Sequence, residues 1–424
     1  MNSLKLEKIK SVEGRVDLPG SKSMSNRALL LSALARGKTQ LLNVLKSDDT
    51  ECMLNALEVL GIKLASRGNS VEIEGRGGTF ASGLNRIRLH LGNAGTAMRP
   101  LCAVLALSEG VFELTGEPRM LERPIGPLVE ALKSIGLHLE YLNNDGFPPL
   151  LIRGGKPTSH ELSVDGALSS QFITALLLAS PLCGGLKIKI KSELISKPYV
   201  DLTIALMKNF GIEVQRSGYK SFETRGGVYL SPGSCLIEGD ATSATYFAAA
   251  AAVSGRVEIF GLGKNSPQGD ALFMDILERM GAGVTKTDNS IIVEHRGPLK
   301  GLEIDMNDMP DAAMTLVPLA LYTQGPVTVT KIASWRVKET DRIVALSTEM
   351  SRLGVKVSSG QDYICVDASS RNTETPVFNT YNDHRIAMCM SLIALDRSIV
   401  INNPECVAKT FPNYFNVLSS ISKS

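Results

Sequence analysis

Two basic side chains, Lys22 and Arg27, lie in the short polar run that precedes the apolar stretch 28–34. The N-terminal end of a helix already carries partial positive charge, so neutral caps or acidic residues normally occupy it. Two cations at such an end are unfavourable unless a negatively charged ligand compensates for them. Backbone N–H groups at a helix N-terminus, joined by added cations, are suited to binding phosphate or carboxylate groups.

Similar polar turns precede five more apolar segments further along the chain. Each turn contains Gly, Ser, Thr, Asn, Asp or His and is followed by small and apolar residues. One polar residue can be taken as the anchor of each turn, and successive anchors lie 69 to 74 residues apart: Ser23, Thr96, Ser170, Thr242, Asp311 and His384. A nearly constant period of this length indicates a chain built from repeated structural units.

A second pattern has the same period and lies between the first set of helices. Five amphipathic segments each end in glycine and are followed by an alternating, strand-like segment. The glycines are Gly61, Gly136, Gly211, Gly281 and Gly354. Glycine just after the last apolar turn is typical of a helix C-terminus. Together the two patterns predict six repeats, each with the order strand, buried helix, strand, amphipathic helix, strand, strand.

The length of the chain and the number of repeats predict two domains. A chain of 424 residues exceeds what one ordinary hydrophobic core holds. A solenoid is the alternative for tandem repeats, but these repeats are longer than most solenoid units. We therefore expect an α/β fold with two similar domains of three repeats each. The boundary is expected near Glu238, after the loop-like stretch 231–234.

The overall composition argues against several classes of protein. A net charge of +2 and an aromatic content of 5% do not suit a nucleic-acid-binding protein. The first residues lack the apolar core of a signal peptide, and no apolar run approaches the length of a membrane span. Seven scattered cysteines without a CxxC pair indicate reduced thiols. We expect a cytoplasmic protein without nucleic-acid or membrane partners and without a metal site.

The polar residues at the helix starts also have simpler interpretations. Taken singly, Lys22 and Arg27 fit solvated loop charges equally well, because Lys and Arg are mostly exposed. The run 338–342 (KETDR) is typical of a wet helix face. Asp311 could merely cap its helix, and a lone histidine such as His384 is weak evidence for a metal site. Their recurrence at equivalent positions of a repeat favours a shared anion site.

Eight segments, in order, resemble one known family. They run from about Pro19 to Lys409 and read LPGSKSMSNRALLLSALA, LGNAGTAMRPL, ERPIGPLVEAL, SSQFITALL, SKPYVDLT, MPDAAMT, WRVKETDRI and NDHRIAM. This set resembles the 5-enolpyruvylshikimate-3-phosphate synthases. The resemblance implies two domains, each of three βαβαββ units around a pseudo-threefold axis, covering 21–238 and 1–20 with 239–424. It places the active site in the cleft between them.

The resemblance also implies the reaction. Members of the family transfer the enolpyruvyl group of phosphoenolpyruvate (PEP) to the 5-hydroxyl of shikimate 3-phosphate and release phosphate, without a metal or other cofactor. Two phosphates and two carboxylates then meet in one site, which accounts for the clustered cations. We expect a monomer of the type that glyphosate inhibits in competition with PEP.

The resemblance implies roles for individual residues at matching positions. Shikimate 3-phosphate is expected to contact Lys22, Ser23, Arg27, Ser169, Ser170, Gln171, Ser196, Tyr199, Asp311, Ser334 and Lys338. PEP is expected to contact Lys22, Asn93, Gly95, Thr96, Arg123, Gln171, Arg342, His384, Arg385 and Lys409. The expected catalytic residues are Asp311 as base, Glu339 as proton donor to carbon 3 of PEP, and Lys22. Ser334 is a departure, because the family often has Asn before this Trp.

Two other functions were weighed against this one. UDP-N-acetylglucosamine enolpyruvyl transferases share the architecture, but their signature is a cysteine in the loop equivalent to 92–100. That loop has no cysteine here, and Cys102 lies beyond it. A non-enzymatic protein that binds phosphometabolites or RNA ends is the second alternative. The candidate acid–base residues Asp311 and Glu339 argue against a pure binding protein.

Overall fold

The computed structural model describes residues 2–423, apart from the side chain of Leu84. The chain forms two compact units. We call Gly20–Ile237 the first unit, and Met1–Pro19 together with Glu238–Ser424 the second unit. Each unit has a hydrophobic core of its own.

Short strands alternate with helices along the whole described chain. The strands are β1 (Ser3–Leu6), β2 (Ser11–Asp17), β3 (Arg36–Leu42), β4 (Lys63–Arg67), β5 (Ser70–Arg76), β6 (Ala81–His90), β7 (Glu109–Thr115), β8 (His138–Tyr141), β9 (Leu150–Arg153), β10 (Glu161–Val164), β11 (Lys187–Ile190), β12 (Val214–Ser217), β13 (Ser221–Thr224), β14 (Ser234–Leu236), β15 (Gly255–Phe260), β16 (Gly283–Lys286), β17 (Ser290–Glu294), β18 (Leu299–Asp305), β19 (Thr323–Thr330), β20 (Lys356–Ser359), β21 (Ile364–Asp367), β22 (Val377–Asn379), β23 (Ile399–Asn402) and β24 (Ser422–Lys423).

The α-helices are α1 (Lys22–Leu34), α2 (Asp48–Val59), α3 (Gly95–Ala106), α4 (Gly126–Ser134), α5 (Ser170–Ala179), α6 (Lys197–Asn209), α7 (Ala241–Val253), α8 (Phe273–Met280), α9 (Leu316–Leu319), α10 (Arg342–Ser351), α11 (His384–Ser391) and α12 (Tyr414–Ile421). Short 3₁₀ helices cover Met120–Glu122, Ser180–Cys183, Gly269–Leu272, Ala312–Thr315, Ala320–Tyr322, Ala333–Val337, Leu392–Leu395 and Pro404–Lys409. Within residues 2–423, none of the helices is both long and apolar enough to cross a membrane.

Six sheets repeat one topology, in which a parallel pair of strands is extended by antiparallel strands. The first unit contains the orders β14-β3-β5-β4, β6-β7-β9-β8 and β10-β11-β13-β12. The second unit contains β24-β2-β15-β17-β16, β18-β19-β21-β20 and the shorter β22-β23-β1. This repetition confirms the α/β fold of six repeats that the sequence predicts.

Each unit completes a sheet with a strand from the opposite end of its chain. In the first unit β14 runs parallel to β3, so that Cys235 lies opposite Leu41. In the second unit β2 runs parallel to β15, and Val12 lies opposite Gly255. The N-terminal strand β1 likewise pairs with β23 near the end of the chain.

The first helix of each repeat is buried, as its composition predicts. Residues 28–34 of α1 have no exposed surface, and all of α7 except Val253 is buried. Alanine and serine on these helices allow close packing with few voids. The polar residues at their N-terminal ends are therefore held on rigid, buried elements.

In the first five repeats the second helix ends as predicted, at a glycine. All five of these glycines have positive φ, from +72° at Gly354 to +115° at Gly281. This left-handed conformation costs glycine little, and it closes the helix before the following strand begins. The second pattern in the sequence therefore reports a real backbone requirement.

Candidate active site

The buried start of α1 carries the two cations Lys22 and Arg27. Lys22 is the first residue of the helix, and its Nζ lies 3.4 Å from Oδ2 of Asp49 in the first turn of α2. Both side chains are buried. One of the two cations is thus neutralised by the protein itself.

Arg27 differs from Lys22 in the partners that it has. Its Nε donates to Oγ1 of Thr203 over 2.8 Å, and its Nη2 donates to Oγ1 of Thr174 over 3.2 Å. Carbonyl oxygens of Ser23 and Tyr199 complete the set, and every one of these partners within residues 2–423 is uncharged. Burial lowers the pKa of Arg27 to about 10. A buried guanidinium whose partners are uncharged is costly for the fold, and a bound anion would offset that cost.

We therefore expect the substitution Arg27→Met to separate affinity from stability. Affinity for shikimate 3-phosphate should fall about ten- to a hundredfold, which corresponds to the loss of a charge-assisted hydrogen bond. The melting temperature should stay the same or rise, because a buried charge is removed. Thr174 and Thr203 keep a hydrogen bond to each other. Calorimetric titration and thermal melts measure the two effects.

The exposed Arg67 on β4 provides the control for this substitution. Arg67→Met removes an arginine from the same unit and should change neither quantity appreciably. An Arg27→Met protein that binds shikimate 3-phosphate as tightly as the parent would contradict a ligand role for Arg27.

A second group of polar side chains surrounds the start of α3. A Cβ atom built on Gly95 would lie 2.8 Å from Nη2 of Arg123, 3.0 Å from Nη1 of Arg99 and 3.2 Å from Oε1 of Gln171. Gly95 does not have positive φ. The close approach of three side chains, rather than a left-handed backbone, therefore explains glycine at this position.

Hydrogen bonds hold this group together. Arg123 donates from Nη1 to both oxygens of Asn93, over 2.8 Å to Oδ1 and 3.0 Å to the carbonyl. Asn26 of α1 donates to Oγ1 of Thr96 in the first turn of α3, over 2.6 Å. The starts of α1 and α3 are thus linked directly.

The remaining candidates of the first unit also lie at helix starts. Ser169 caps α5 by accepting a hydrogen bond from the backbone N–H of Gln171, and Ser170 is the first residue of that helix. Ser196 precedes α6 with φ of +52°, in the left-handed region that serine rarely adopts. Tyr199 lies in the first turn of α6, where its carbonyl oxygen accepts from Arg27. These turns present hydroxyl and amide groups suited to a polar, anionic ligand.

Asp311 is the centre of the candidate residues in the second unit. It precedes the 3₁₀ helix Ala312–Thr315 and accepts from Nη1 of Arg342 over 2.9 Å and from Nη2 of Arg385 over 3.0 Å. Nζ of Lys338 lies 3.7 Å from Oδ1. Burial alone would raise the pKa of Asp311, but Arg385, Lys338 and Arg342 hold it well below its usual range. The carboxylate therefore remains ionised at neutral pH.

Arg342 begins α10 and is surrounded by carboxylates. Its Nε donates to Asp383 over 2.8 Å, its Nη1 to Asp311 and its Nη2 to Glu339 over 2.9 Å. Burial alone would lower the pKa of Arg342, but Asp383, Glu339 and Asp311 outweigh it and raise that pKa above the ordinary value. Arg342 therefore donates hydrogen bonds both to the expected base, Asp311, and to the expected proton donor, Glu339.

The other predicted residues of the second unit lie on neighbouring elements. His384 and Arg385 begin α11; the His384 ring has no exposed surface, and its Nδ1 lies 3.5 Å from Oδ1 of Asp383. Lys409 is buried at the end of the 3₁₀ helix Pro404–Lys409, which packs on α11. Ser334 is buried beside Trp335, whose indole N–H donates to the carbonyl oxygen of Pro310 over 2.6 Å.

Two carboxylates of these clusters were missed in the sequence analysis. Asp383 is completely buried, caps α11 through the backbone N–H of Arg385 and orients Arg342. Asp49 neutralises Lys22. Acidic residues one position before a helix or in its first turn are ordinary caps. The position of Asp383 next to His384 and Arg385 was the available signal for a further role.

Comparison with known proteins identifies the family and supports the fold. Residues 6–418 match the family model described as EPSP synthase (3-phosphoshikimate 1-carboxyvinyltransferase). Proteins named 3-phosphoshikimate 1-carboxyvinyltransferase from Tolumonas auensis and Aeromonas salmonicida are both 52% identical to this chain, with 100% of each chain covered.

A solved structure supports the fold independently. The EPSP synthase of Acinetobacter baumannii superposes with a TM-score of 0.83 and 24% identity, and the match covers 100% of this chain and 98% of the other. At that identity the superposition shows the fold alone, whereas the full-length relatives show the activity. The chain belongs to the family of EPSP synthases, the 3-phosphoshikimate 1-carboxyvinyltransferases, which transfer an enolpyruvyl group in the shikimate pathway.

Proposed function

We propose that this protein binds PEP and shikimate 3-phosphate through the residues described above. The observation that carries this proposal is Arg27, a buried cation whose partners are all uncharged. Shikimate 3-phosphate would be held by Arg27 with the hydroxyl groups of Ser23, Ser170 and Tyr199. PEP would be held by the guanidinium groups of Arg123, Arg342 and Arg385, with Lys22 and Lys409.

The cluster around Arg342 supports an acid–base mechanism. Asp311, kept ionised by its cations, is in the form that a base needs to accept the proton of the 5-hydroxyl as that oxygen attacks carbon 2 of PEP. Carbon 3 gains a proton from Glu339, which gives a tetrahedral ketal. Glu339, now a carboxylate, then removes a proton from the new methyl group at carbon 3 as the bond between carbon 2 and the phosphate oxygen breaks. The enolpyruvyl double bond is restored, and the proton held by Asp311 leaves with the phosphate. Glu339 accepts a hydrogen bond from Arg342, so its protonated form needs negative charge nearby. The anionic groups of PEP bound at Arg342 would supply that charge.

The cations then stabilise the leaving phosphate. Guanidinium groups fixed in a buried site act strongly on charge that develops during the reaction, because little water competes with them. Arg123 and Arg385 are each held by a hydrogen bond to a polar neighbour, so they need little reorganisation when phosphate forms. Glyphosate, an anion, would compete with PEP for the same groups. We further propose that the enzyme acts as a monomer in the cytoplasm.

Phosphate release from PEP with two different acceptors tests the substrate assignment. With shikimate 3-phosphate as acceptor we expect steady turnover at neutral pH without added metal. With UDP-N-acetylglucosamine we expect no release above the background measured without acceptor. Turnover with the UDP-sugar would contradict the proposed specificity. Phosphate release that does not depend on an added acceptor would contradict it as well. Glyphosate should raise the apparent KM for PEP without lowering the maximal rate.

A further inference from the structure

One fully buried carboxylate of the second unit has no part in the reaction outlined above. Glu349 lies on α10, seven residues after Arg342, and has no exposed surface. Its Oε1 accepts from the hydroxyl of Tyr381 over 2.6 Å, and its Oε2 accepts from the backbone N–H of Asn379 over 3.1 Å. Nε of Arg352 lies 2.9 Å from Oε2. Burying a carboxylate costs free energy, so an uncharged side chain would normally be preferred at a buried position.

The other four glycine-ended helices have an uncharged side chain at the equivalent position. Glu349 lies five residues before the glycine that ends its amphipathic helix, Gly354. The corresponding positions of the other four helices are all buried and apolar: Ala56, Ala131, Leu206 and Ile276. The fold of the repeat therefore does not require a carboxylate at this position. Its presence in one repeat points to a function particular to that repeat.

The partners of Glu349 belong to the turn that leads into α11. Tyr381 and Asn382 both have φ of +55°. Left-handed conformation is tolerable for asparagine but strained for a bulky side chain such as tyrosine. Such strain persists only where surrounding contacts enforce it, and the Tyr381 hydroxyl bonded to Glu349 is such a contact. Burial, followed by the hydrogen bond to Glu349 and the charge of that carboxylate, raises the pKa of Tyr381 to about 12, so this hydroxyl stays a donor.

The same turn is tied to the segment that leads to Lys409. Nδ2 of Asn402 donates to Oδ1 of Asn379 over 3.0 Å, and Nδ2 of Asn403 donates to Oδ1 of Asn382 over 3.3 Å. Asn403, with φ of +52°, immediately precedes the 3₁₀ helix Pro404–Lys409. The turn thus connects three elements that carry proposed PEP ligands: α10, α11 and this 3₁₀ helix.

We propose that Glu349 is a positioning residue that fixes the spacing of the three PEP-binding cations Arg342, Arg385 and Lys409. It does so by holding the strained turn 379–382 against the helix that begins with Arg342. The inference rests on the proposed function, since it assumes that these cations bind PEP. Glu349 itself touches neither substrate nor reacting atoms, so its effect is exerted through the geometry of the cations.

The test uses two variants, Glu349→Gln and Tyr381→Phe, in the full-length enzyme. Misplacement of binding groups by about 1 Å can cost about a hundredfold, so Glu349→Gln should raise the KM for PEP about ten- to a hundredfold. Tyr381→Phe loses one hydrogen bond and should raise it about three- to tenfold. In both variants kcat should change much less than KM. The affinity for shikimate 3-phosphate alone, measured by calorimetry, should change less than twofold.

Two further variants separate the possible failures. Glu278→Gln removes an exposed carboxylate from the equivalent helix α8 and should leave all constants unchanged. Arg385→Lys tests the cation directly. If Arg385→Lys raises the KM for PEP while Tyr381→Phe changes it less than twofold, the positioning role is wrong and the PEP site stands. If Arg385→Lys has no effect, the PEP assignment itself is wrong. If the Glu349→Gln protein fails to fold, the Tyr381→Phe variant alone decides whether the positioning role is right. Tyr381 is 39% exposed, so this variant is expected to fold.

Discussion

The substitution Asp311→Asn is expected to lower kcat by about 10²- to 10⁴-fold, the usual range for the loss of a general base. Asparagine has the same shape but cannot accept the proton of the 5-hydroxyl. The fold should tolerate the change, because Arg342 keeps its hydrogen bonds to Glu339 and Asp383. Single-turnover rates and substrate affinities, measured on the same preparation, separate binding from chemistry.

The exposed Asp308 offers a matched control three residues before the site. Asp308→Asn should have the kcat of the parent enzyme. Near-normal turnover of Asp311→Asn would mean that another group removes the proton. A variant that has lost affinity for both substrates instead would show that Asp311 acts mainly by orienting Arg342 and Arg385.

Glu339→Gln is expected to cause a loss of the same order, with both substrates still bound. Glutamine can keep the hydrogen bond with Arg342 but cannot transfer a proton to carbon 3 of PEP. Exchange of the PEP methylene hydrogens with deuterated solvent requires a proton to be added to carbon 3 and another to be removed, so it should become undetectable. If exchange and turnover stay near normal, Glu339 is not the donor, and Lys22 becomes the better candidate.

A third effect, on inhibitor binding rather than on turnover, is expected at Gly95. Alanine at this position is compatible with the backbone, because φ is not positive, so the melting temperature should stay close to that of the parent. The added methyl group would lie within 3.2 Å of the terminal atoms of Arg123, Arg99 and Gln171, so the ends of these long side chains have to shift. Their displaced ends would occupy space near the PEP site. Glyphosate affinity should therefore fall about tenfold or more, and the KM for PEP should rise less.

A glycine in the same loop provides the contrast. Gly92 has φ of +51°, so Gly92→Ala should destabilise the fold through backbone strain. Thermal melts of the two variants, with glyphosate inhibition measured on the same samples, distinguish backbone strain from crowding. A stable Gly95→Ala enzyme with the glyphosate sensitivity of the parent would defeat the crowding explanation.

The repeat architecture could be predicted from the sequence because each repeat has the same local requirements. An amphipathic helix ends at glycine, and a buried helix contains small residues. Both requirements are local, so they are visible in the amino-acid sequence. The five helix-ending glycines, such as Gly61 and Gly211, all have the left-handed backbone that their position predicts. Helix starts that carry cations could be identified in the same way.

The electrostatic balance of the site could not be predicted from the sequence. Clustered cations suggested a surface short of negative charge, yet Arg342 donates to three carboxylates and Lys22 faces Asp49. Asp383 and Arg342 are far apart in the chain, and only the packing of α10 against α11 brings them together. Arg27 and Lys22 look alike in the sequence, and their difference depends on which helices lie beside them.

The pairing of β2 with β15 has a consequence for synthesis of the chain. The first sheet of the first unit is complete once β14 has emerged, whereas β2 has to wait for residues 255–260 before it finds its parallel partner. At about 5 to 20 residues per second, this delay lasts on the order of 12 to 50 seconds. During that time Val12 and Val16, which are fully buried in the folded protein, are exposed on a strand without a sheet. Strand β2 is thus made well before its parallel partner, and its apolar side chains are open to chaperones or to aggregation while the ribosome is still at work.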